Sequence, residues 1–308
     1  MSDDPPSDSA GRPLAAASIF EREEDGDGGG ERFHPTALAT GPWYAGTQHG
    51  SPMLGLLARA VERHGSDRPR QVVRLTVDLM RAAPLAPVRC VVHTQRPGKS
   101  VEIVEASLRS GEGGGDVEYA RARAMRFRTG AIDVGGGDAV AVEAPPERPA
   151  AASLRRWFGE GEDRTVLRPD AFHHALEMRP VAAFETPTVW FRLKVPLVAG
   201  EEVTPLERVA VVSDFTYSVP FMRQIASNPR QLRDRGFVAI NPDTSLNLHR
   251  PAEGEWVCLD ARTSYGDLGA GTAHARLYDD RGPFGHSSQS ILVRGTESRP
   301  EWSRSQES

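Results

Sequence analysis

Residues 204–218 read TPLERVAVVSDFTYS. Thr204 is a good N-cap and Pro205 suits the first helical turn, where its missing N–H costs nothing. Val209, Val211, Val212 and Phe215 then spread apolar side chains around much of the helix surface, the pattern of a helix packed on several sides. A single helix over 204–218 is expected, with Asp214 set into its apolar surface. A buried carboxylate costs several kcal/mol unless hydrogen bonds or charges answer it, so Asp214 needs either partners or a task.

A second stretch resembles the first. Ser51-Pro52 opens MLGLLARAVERHG, a helix expected over 51–64 and ended by Gly65. Strand-like segments follow each helix. In the first block they are QVVRLTVDLMR, VRCVVHTQR, SVEIVEASLRS and EYARARAMRFR; in the second, SLNLHR, EWVCLDARTS, GTAHARLYDD and GHSSQSILVR. Extended segments also precede each helix: SIFERE and ERFHPTAL, then HHALEMRPV and TVWFRLKVPLV. Three matches tie the blocks together: Ser51-Pro52 with Thr204-Pro205, LMR (79–81) with LHR (248–250), and RFR (126–128) with LVR (292–294). The expected fold class is therefore α+β, two curved antiparallel sheets each wrapped around a central helix. Residues 18–130 and 169–295 form the two units. Residues 131–168, rich in Gly, Pro and Ala, are a linker with one short helix near Leu154 to Phe158. Residues 1–17 and 296–308 are polar tails.

The 308 residues suffice for two such units. Apolar residues make up 39% and charged residues 26%, a balance that supports a folded core. A net charge of −5 argues against nucleic acid or an anionic membrane as the main partner. No apolar run is long enough for a membrane span, and the acidic start MSDDPPSDSA lacks the features of a signal peptide. Cys90 and Cys258 lie in strand-like segments and read as small core residues. A cytoplasmic protein is expected.

At three places the sequence resembles a known family. The order of Ser213-Asp214-Phe215, His249-Arg250-Pro251 and Ser288-Gln289 is similar to that of the double-hotdog acyl-CoA thioesterases, the thioesterase II hydrolases. In the first half, RPGKS with EASLRS and GSPMLGLLARAVE resemble the same family. The resemblance covers roughly residues 18–295. It implies a tandem hotdog, hydrolysis of acyl-CoA to free acid and CoA, no cofactor, no metal, and a homodimer of double-hotdog subunits. The family's catalytic Asp, small polar residue and Gln carry over to Asp214, Asn241 and Gln289. The middle position departs from the pattern, because Asn241 stands where the family has Thr; Thr244 and Ser245 are alternatives nearby.

Hydrolysis without a covalent intermediate needs a water, an acceptor to align it, and donors for the developing oxyanion. A carboxylate supplies the acceptor, amide side chains hold the water, and a helix N-terminus can meet the oxyanion. The repeat sharpens the case. It sets Asp214 against Val61 and Gln289 against Arg123, so the polar set occurs in one half only. His49 and Gly50, ahead of the first helix, Arg96 between strands and Thr244 are candidate substrate contacts, with Lys99 beside Arg96 as a second cation for CoA phosphates. His173-His174, in a strand-like segment, have no third ligand at zinc spacing. The acidic EEDGDGGG (23–30) reads as a hairpin turn. Neither G-x-S-x-G nor a G-x-G-x-x-G after a strand occurs. Two other readings stay open: a non-catalytic acyl-thioester binding protein, and a hotdog hydratase. The hydratase lacks its acid and base, since Ala239 and Thr244 stand where that chemistry needs Asp and His.

Overall fold

Helix α1 (Gly50–Arg63) forms over the apolar run of the first block, and every residue from Ser51 to Val61 is buried. Its cap is His49, whose Nδ1 accepts the Ser51 N–H at 3.0 Å. The sequence places the opening at Ser51-Pro52; in the structure the imidazole takes the capping role and Ser51 falls inside the first turn. Helix α2 (Pro205–Ser213) starts as its residues dictate. Thr204 accepts the Glu207 N–H and Glu207 returns its carboxylate to the Thr204 N–H, a reciprocal box with Pro205 in the first turn. The structure is a computed structural model that describes residues 14–23, 30–41, 46–66, 68–110, 116–132, 143–150, 172–227 and 237–295. Most of both tails, nearly all of the 23–30 turn and the short helix expected near Leu154 to Phe158 lie outside the described residues.

The single helix expected over 204–218 does not run through. Helix α2 ends at Ser213, a 3-10 turn covers Asp214–Thr216, and helix α3 (Ser218–Ser227) follows. Local side-chain bonds compete with the helical ladder at this point. Ser213 Oγ donates to the Ala210 carbonyl and Thr216 Oγ1 to the Ser213 carbonyl, each at 2.7 Å.

The strands are β1 (Phe20–Arg22), β2 (Glu31–Pro35), β3 (Arg70–Leu79), β4 (Val88–Arg96), β5 (Val101–Ser110), β6 (Glu118–Arg128), β7 (Leu176–Pro180), β8 (Thr188–Leu193), β9 (Phe237–Ile240), β10 (Asp243–Leu248), β11 (Val257–Tyr265), β12 (Ala270–Asp279) and β13 (Gly282–Gly295). They form one sheet in the order β1-β2-β4-β5-β6-β3-β10-β13-β12-β11-β8-β7, with β9 paired to β13. Every pairing between these strands is antiparallel. His173 and His174 sit in a 3-10 turn, Phe172–Ala175, rather than in a strand.

The two halves meet where β3 pairs with β10. The offset that matches Leu79 with Leu248 also matches Thr76 with Ser245, and these two are direct register partners. The seam thus runs through equivalent residues, as when two like units pair edge to edge. Helix α1 packs on β3, β4, β5, β6 and α2, while α2 packs on β8, β10 and β11. One apolar core runs through both halves, from Leu57 and Val104 to Val211 and Leu259. Within it Arg59 is fully buried, answered by Glu31 and Glu201 at 2.6 and 2.7 Å, so its charge is compensated. Part of the expected linker lies on the second half: Trp190 Nε1 donates to the Pro146 carbonyl, and the Arg148 guanidinium stacks over Trp190 and Trp256.

The close passage of the two helices can be tested at Gly55. A Cβ there would meet Val211 Cγ2 at 2.7 Å and Leu197 at 3.0 Å. Gly55→Val is expected to cost about 1–3 kcal/mol of stability by overpacking, seen in thermal melts. Gly65→Ala, where no heavy atom lies within 4 Å of the added carbon, should change little.

A second test concerns Glu207, buried at the start of α2. Burial pushes its carboxyl up to about 7 from 4.5, against the bond from Thr204 and with a further push from Glu62. A raised folded value means stability present at low pH that is lost as pH rises from 4.5 through about 7. Glu207→Gln keeps the capping geometry, so its melting temperature should gain on wild type progressively between about pH 5 and 8. A pH-independent difference would contradict this assignment.

Candidate active site

The break after α2 delivers Asp214 to the N-terminus of α1. Its side chain is 7% exposed. Oδ1 accepts Asn241 Nδ2 at 2.8 Å, and Oδ2 accepts Ser51 Oγ at 2.8 Å. A Cβ on Gly50 would lie 3.1 Å from Oδ2 and 3.4 Å from Oδ1. The carboxylate therefore rests against the opening turn of a helix, where the helix dipole favours negative charge. These donors explain how an apolar helix tolerates Asp214.

Ser51 supplies two of the bonds that build the site. Its N–H goes to His49 Nδ1 and its hydroxyl to Asp214 Oδ2, while those two acceptors stand 3.4 Å apart. Burial lowers the His49 pKa below its ordinary 6.5, against the pull of the Asp214 charge. The ring is thus neutral at pH 7. With Nδ1 accepting, the hydrogen-bond pattern assigns its proton to Nε2. The ring stacks on Phe215 with centroids 5.7 Å apart and lies 5.1 Å from Phe172.

Gln289, on β13 and 2% exposed, faces the same break. Its Nε2 donates to the Asp214 carbonyl at 3.1 Å and to Thr244 Oγ1 at 2.9 Å, and its Oε1 accepts the Tyr217 N–H at 2.8 Å. Beside it, Thr216 Oγ1 and Ser287 Oγ share a hydrogen bond of 2.7 Å. Both amide hydrogens of Gln289 are committed to the protein, whereas the Asp214 carboxylate keeps accepting capacity beyond its two bonds.

Of the residues singled out from sequence, Asp214, Asn241, Gln289, Thr244, His49 and Gly50 come together. Asn241 and Thr244 are both present, the first on the carboxylate and the second on the glutamine. Ser245 points to the other face and bonds Thr76. Arg96 does not join the cluster: it is exposed at the end of β4, with β5, β6 and β3 between that strand and β10. Lys99, in the loop beyond it, is likewise exposed. The match of Gln289 with Arg123 is one residue out of phase. Arg123 is exposed and bonds Gln95, while the buried neighbours on β6 are Ala122 and Ala124. A slip of one residue turns a strand over, so the inward counterpart of Gln289 is a small apolar residue. Ser51 went unrecognised as a site residue, because a Ser before Pro at a helix start reads as a cap. Among the described residues no three His, Cys, Asp or Glu side chains are placed to hold a metal ion, and no helix is long and apolar enough to cross a membrane.

The sequence model of the acyl-CoA thioesterase C-terminal domain matches residues 87–293, and that of the acyl-CoA thioesterase N-terminal domain matches residues 39–127. The chain belongs to the acyl-CoA thioesterase family. As such it is an enzyme, a thioester hydrolase. No curated protein sequence matches it. Among solved structures it is similar to the acyl-CoA thioesterase II TesB2 of Mycobacterium marinum, at 14% identity, with a TM-score of 0.59, over 92% of this chain and 98% of the other. A TesB protein of Mycobacterium avium subsp. paratuberculosis gives 17% identity and a TM-score of 0.57 over 89% and 96%. A protein with a hot dog fold from Alicyclobacillus acidocaldarius gives 14% and 0.61 over 91% and 97%. At these identities the likeness concerns the fold: a large antiparallel sheet with few helices, of the hotdog type.

Gly50 offers a direct check on the candidate site. A Cβ there would meet both Asp214 Oδ2 and Leu79 Cδ1 at 3.1 Å. Gly50→Ala should lower turnover by about ten- to a hundredfold through misplacement of the carboxylate, with a small change in melting temperature. Unchanged thiol release would show that this approach is not needed.

Proposed function

We propose that this enzyme hydrolyses acyl-CoA thioesters through a water aligned by Asp214, within a tandem hotdog whose units are residues 18–130 and 169–295. The observation that carries the mechanism is the position of the Asp214 carboxylate, which accepts from Asn241 and Ser51 beside Gly50 at the start of α1. The paired equivalents Thr76 and Ser245 at the seam support the tandem reading.

In this mechanism Asp214 accepts a hydrogen bond from the water and takes its proton as the oxygen attacks the thioester carbon. The carbonyl oxygen, gaining charge, meets the positive end of the α1 dipole at its first turn. Collapse breaks the carbon–sulfur bond, and the proton held by Asp214 passes to the leaving thiolate, giving free acid and CoA. Asn241 holds the carboxylate in place. Gln289 and Thr244 hold its backbone. In this reading Gln289 is a positioning residue, since its amide hydrogens are already committed. The residues serve this chemistry without a nucleophilic side chain, and a drier site strengthens the pull of a carboxylate on the water.

A thiol-release assay with a panel of acyl-CoAs tests the reading. Asp214→Asn keeps the shape and removes the charge. Turnover should fall by about two orders of magnitude or more, with stability held or raised. A folded Asp214→Asn enzyme with wild-type turnover on its best acyl-CoA would end this mechanism.

A further inference from the structure

The repeat gives the chain two equivalent arginines with different surroundings. Arg250, in the LHR of the second half, is locked: its Nη1 and Nη2 meet Asp279 at 2.5 and 2.7 Å, and Nη2 also reaches the Gly282 carbonyl at 2.9 Å. Asp279, the last residue of β12, is fully buried. Its counterpart at the end of β5 is Ser110, which has no carboxylate. Arg81, in the LMR of the first half, is exposed and takes part in no ion pair among the described residues.

Arg81 also lies on a stretch of chain that adjoins the site on both sides. Two residues before it, the Leu79 N–H bonds the Pro242 carbonyl at 2.7 Å, next to Asn241. Two residues after it, the Ala83 carbonyl accepts the Gln48 N–H at 2.9 Å, next to His49. The Gln48 side chain adds bonds to the carbonyls of Pro84 and Ala86 at 2.8 and 3.2 Å. The short span 80–82 therefore bridges two anchors, each adjoining a residue that touches Asp214. Leu79 itself comes within 3.1 Å of the Cβ position of Gly50, and Arg81 follows it within about 7 Å of chain. Met80 and Leu85 on either side are exposed apolar residues, 48% and 37% accessible. The nearest acidic residue along the chain, Asp78, lies opposite Arg121 in the β3–β6 register.

The chemistry of the ligand follows from this placement. A chain with net charge −5 repels a polyanionic substrate at long range, so capture needs a local cation. A guanidinium presents a fork that fits phosphate oxygens, and an unpaired one has no competing carboxylate to displace. We propose that Arg81 anchors the phosphate-bearing end of the coenzyme A thioester, with Met80 and Leu85 as apolar rim beside the arm that leads to Asp214. This rests on the hydrolase mechanism proposed for Asp214. It assigns to Arg81 the role that the sequence suggested for Arg96.

The test compares coenzyme A, which carries the phosphates, with pantetheine, which does not. Titration calorimetry should show Arg81→Ala weakening coenzyme A binding about tenfold or more at low salt, with the wild-type advantage shrinking as salt rises. In turnover, KM for acyl-CoA should rise with kcat held. The same acyl group on N-acetylcysteamine should be hydrolysed equally by both enzymes. Arg81→Lys should recover part of the loss. Unchanged coenzyme A binding in Arg81→Ala, an equal loss on the phosphate-free thioester, or a loss in Arg96→Ala instead would overturn the proposal. A wild type that hydrolyses neither thioester but binds coenzyme A through Arg81 would defeat the hydrolase mechanism while supporting this inference.

Discussion

The site depends on one side-chain amide. Gln289 stands on β13 opposite the point where α2 stops. There it accepts the Tyr217 N–H and donates to the Asp214 carbonyl. A helix that breaks inside a protein leaves backbone groups without partners, and buried groups of that kind cost about 1–3 kcal/mol each. Gln289 fills that vacancy from a neighbouring strand. Thr244 in turn accepts from Gln289, so β10, β13 and the helix break form one connected polar unit. Had α2 continued through Asp214, the carboxylate would have followed the helix surface rather than stopping at the first turn of α1.

A second constraint is electrostatic. Asp214 is nearly buried, and its charge is met by Asn241, by Ser51 and by the opening turn of α1. Those groups come from both halves of the chain, so neither half holds the site alone. The pairing of β3 with β10 makes this possible, because it brings Leu79 beside Pro242 and sets the two helices against each other. The close passage at Gly55 leaves no slack between them. The packing that joins the halves therefore also fixes the geometry around the carboxylate.

Much of this is legible in the residues. Thr204, Pro205 and Glu207 announce α2 through local capping chemistry, and the apolar run of 53–61 announces α1. Asp214 stands out because its counterpart in the other half, Val61, is apolar. What stays hidden depends on distant contacts. The stop at Ser213 comes from a glutamine 76 residues away in sequence as much as from local hydroxyls. His49 takes the cap from Ser51 because Ser51 Oγ is drawn to Asp214, a contact across the halves. That Arg96 lies apart from the Asp214 cluster depends on strand order, which local spacing does not encode. The one-residue slip between Gln289 and Arg123 has the same origin, since only burial reveals the phase of a strand.

Gln289 is assigned an effect on the reaction only through the placement of Asp214. A double-mutant cycle on kcat tests this most directly, using wild type, Asp214→Asn, Gln289→Ala and the double variant, with folding checked by melting curves. If Gln289 works through Asp214, the double variant turns over at the rate of Asp214→Asn alone, because there is no charge left to position. If the two losses multiply instead, Gln289 has its own contact with the reacting atoms, and the positioning role is wrong.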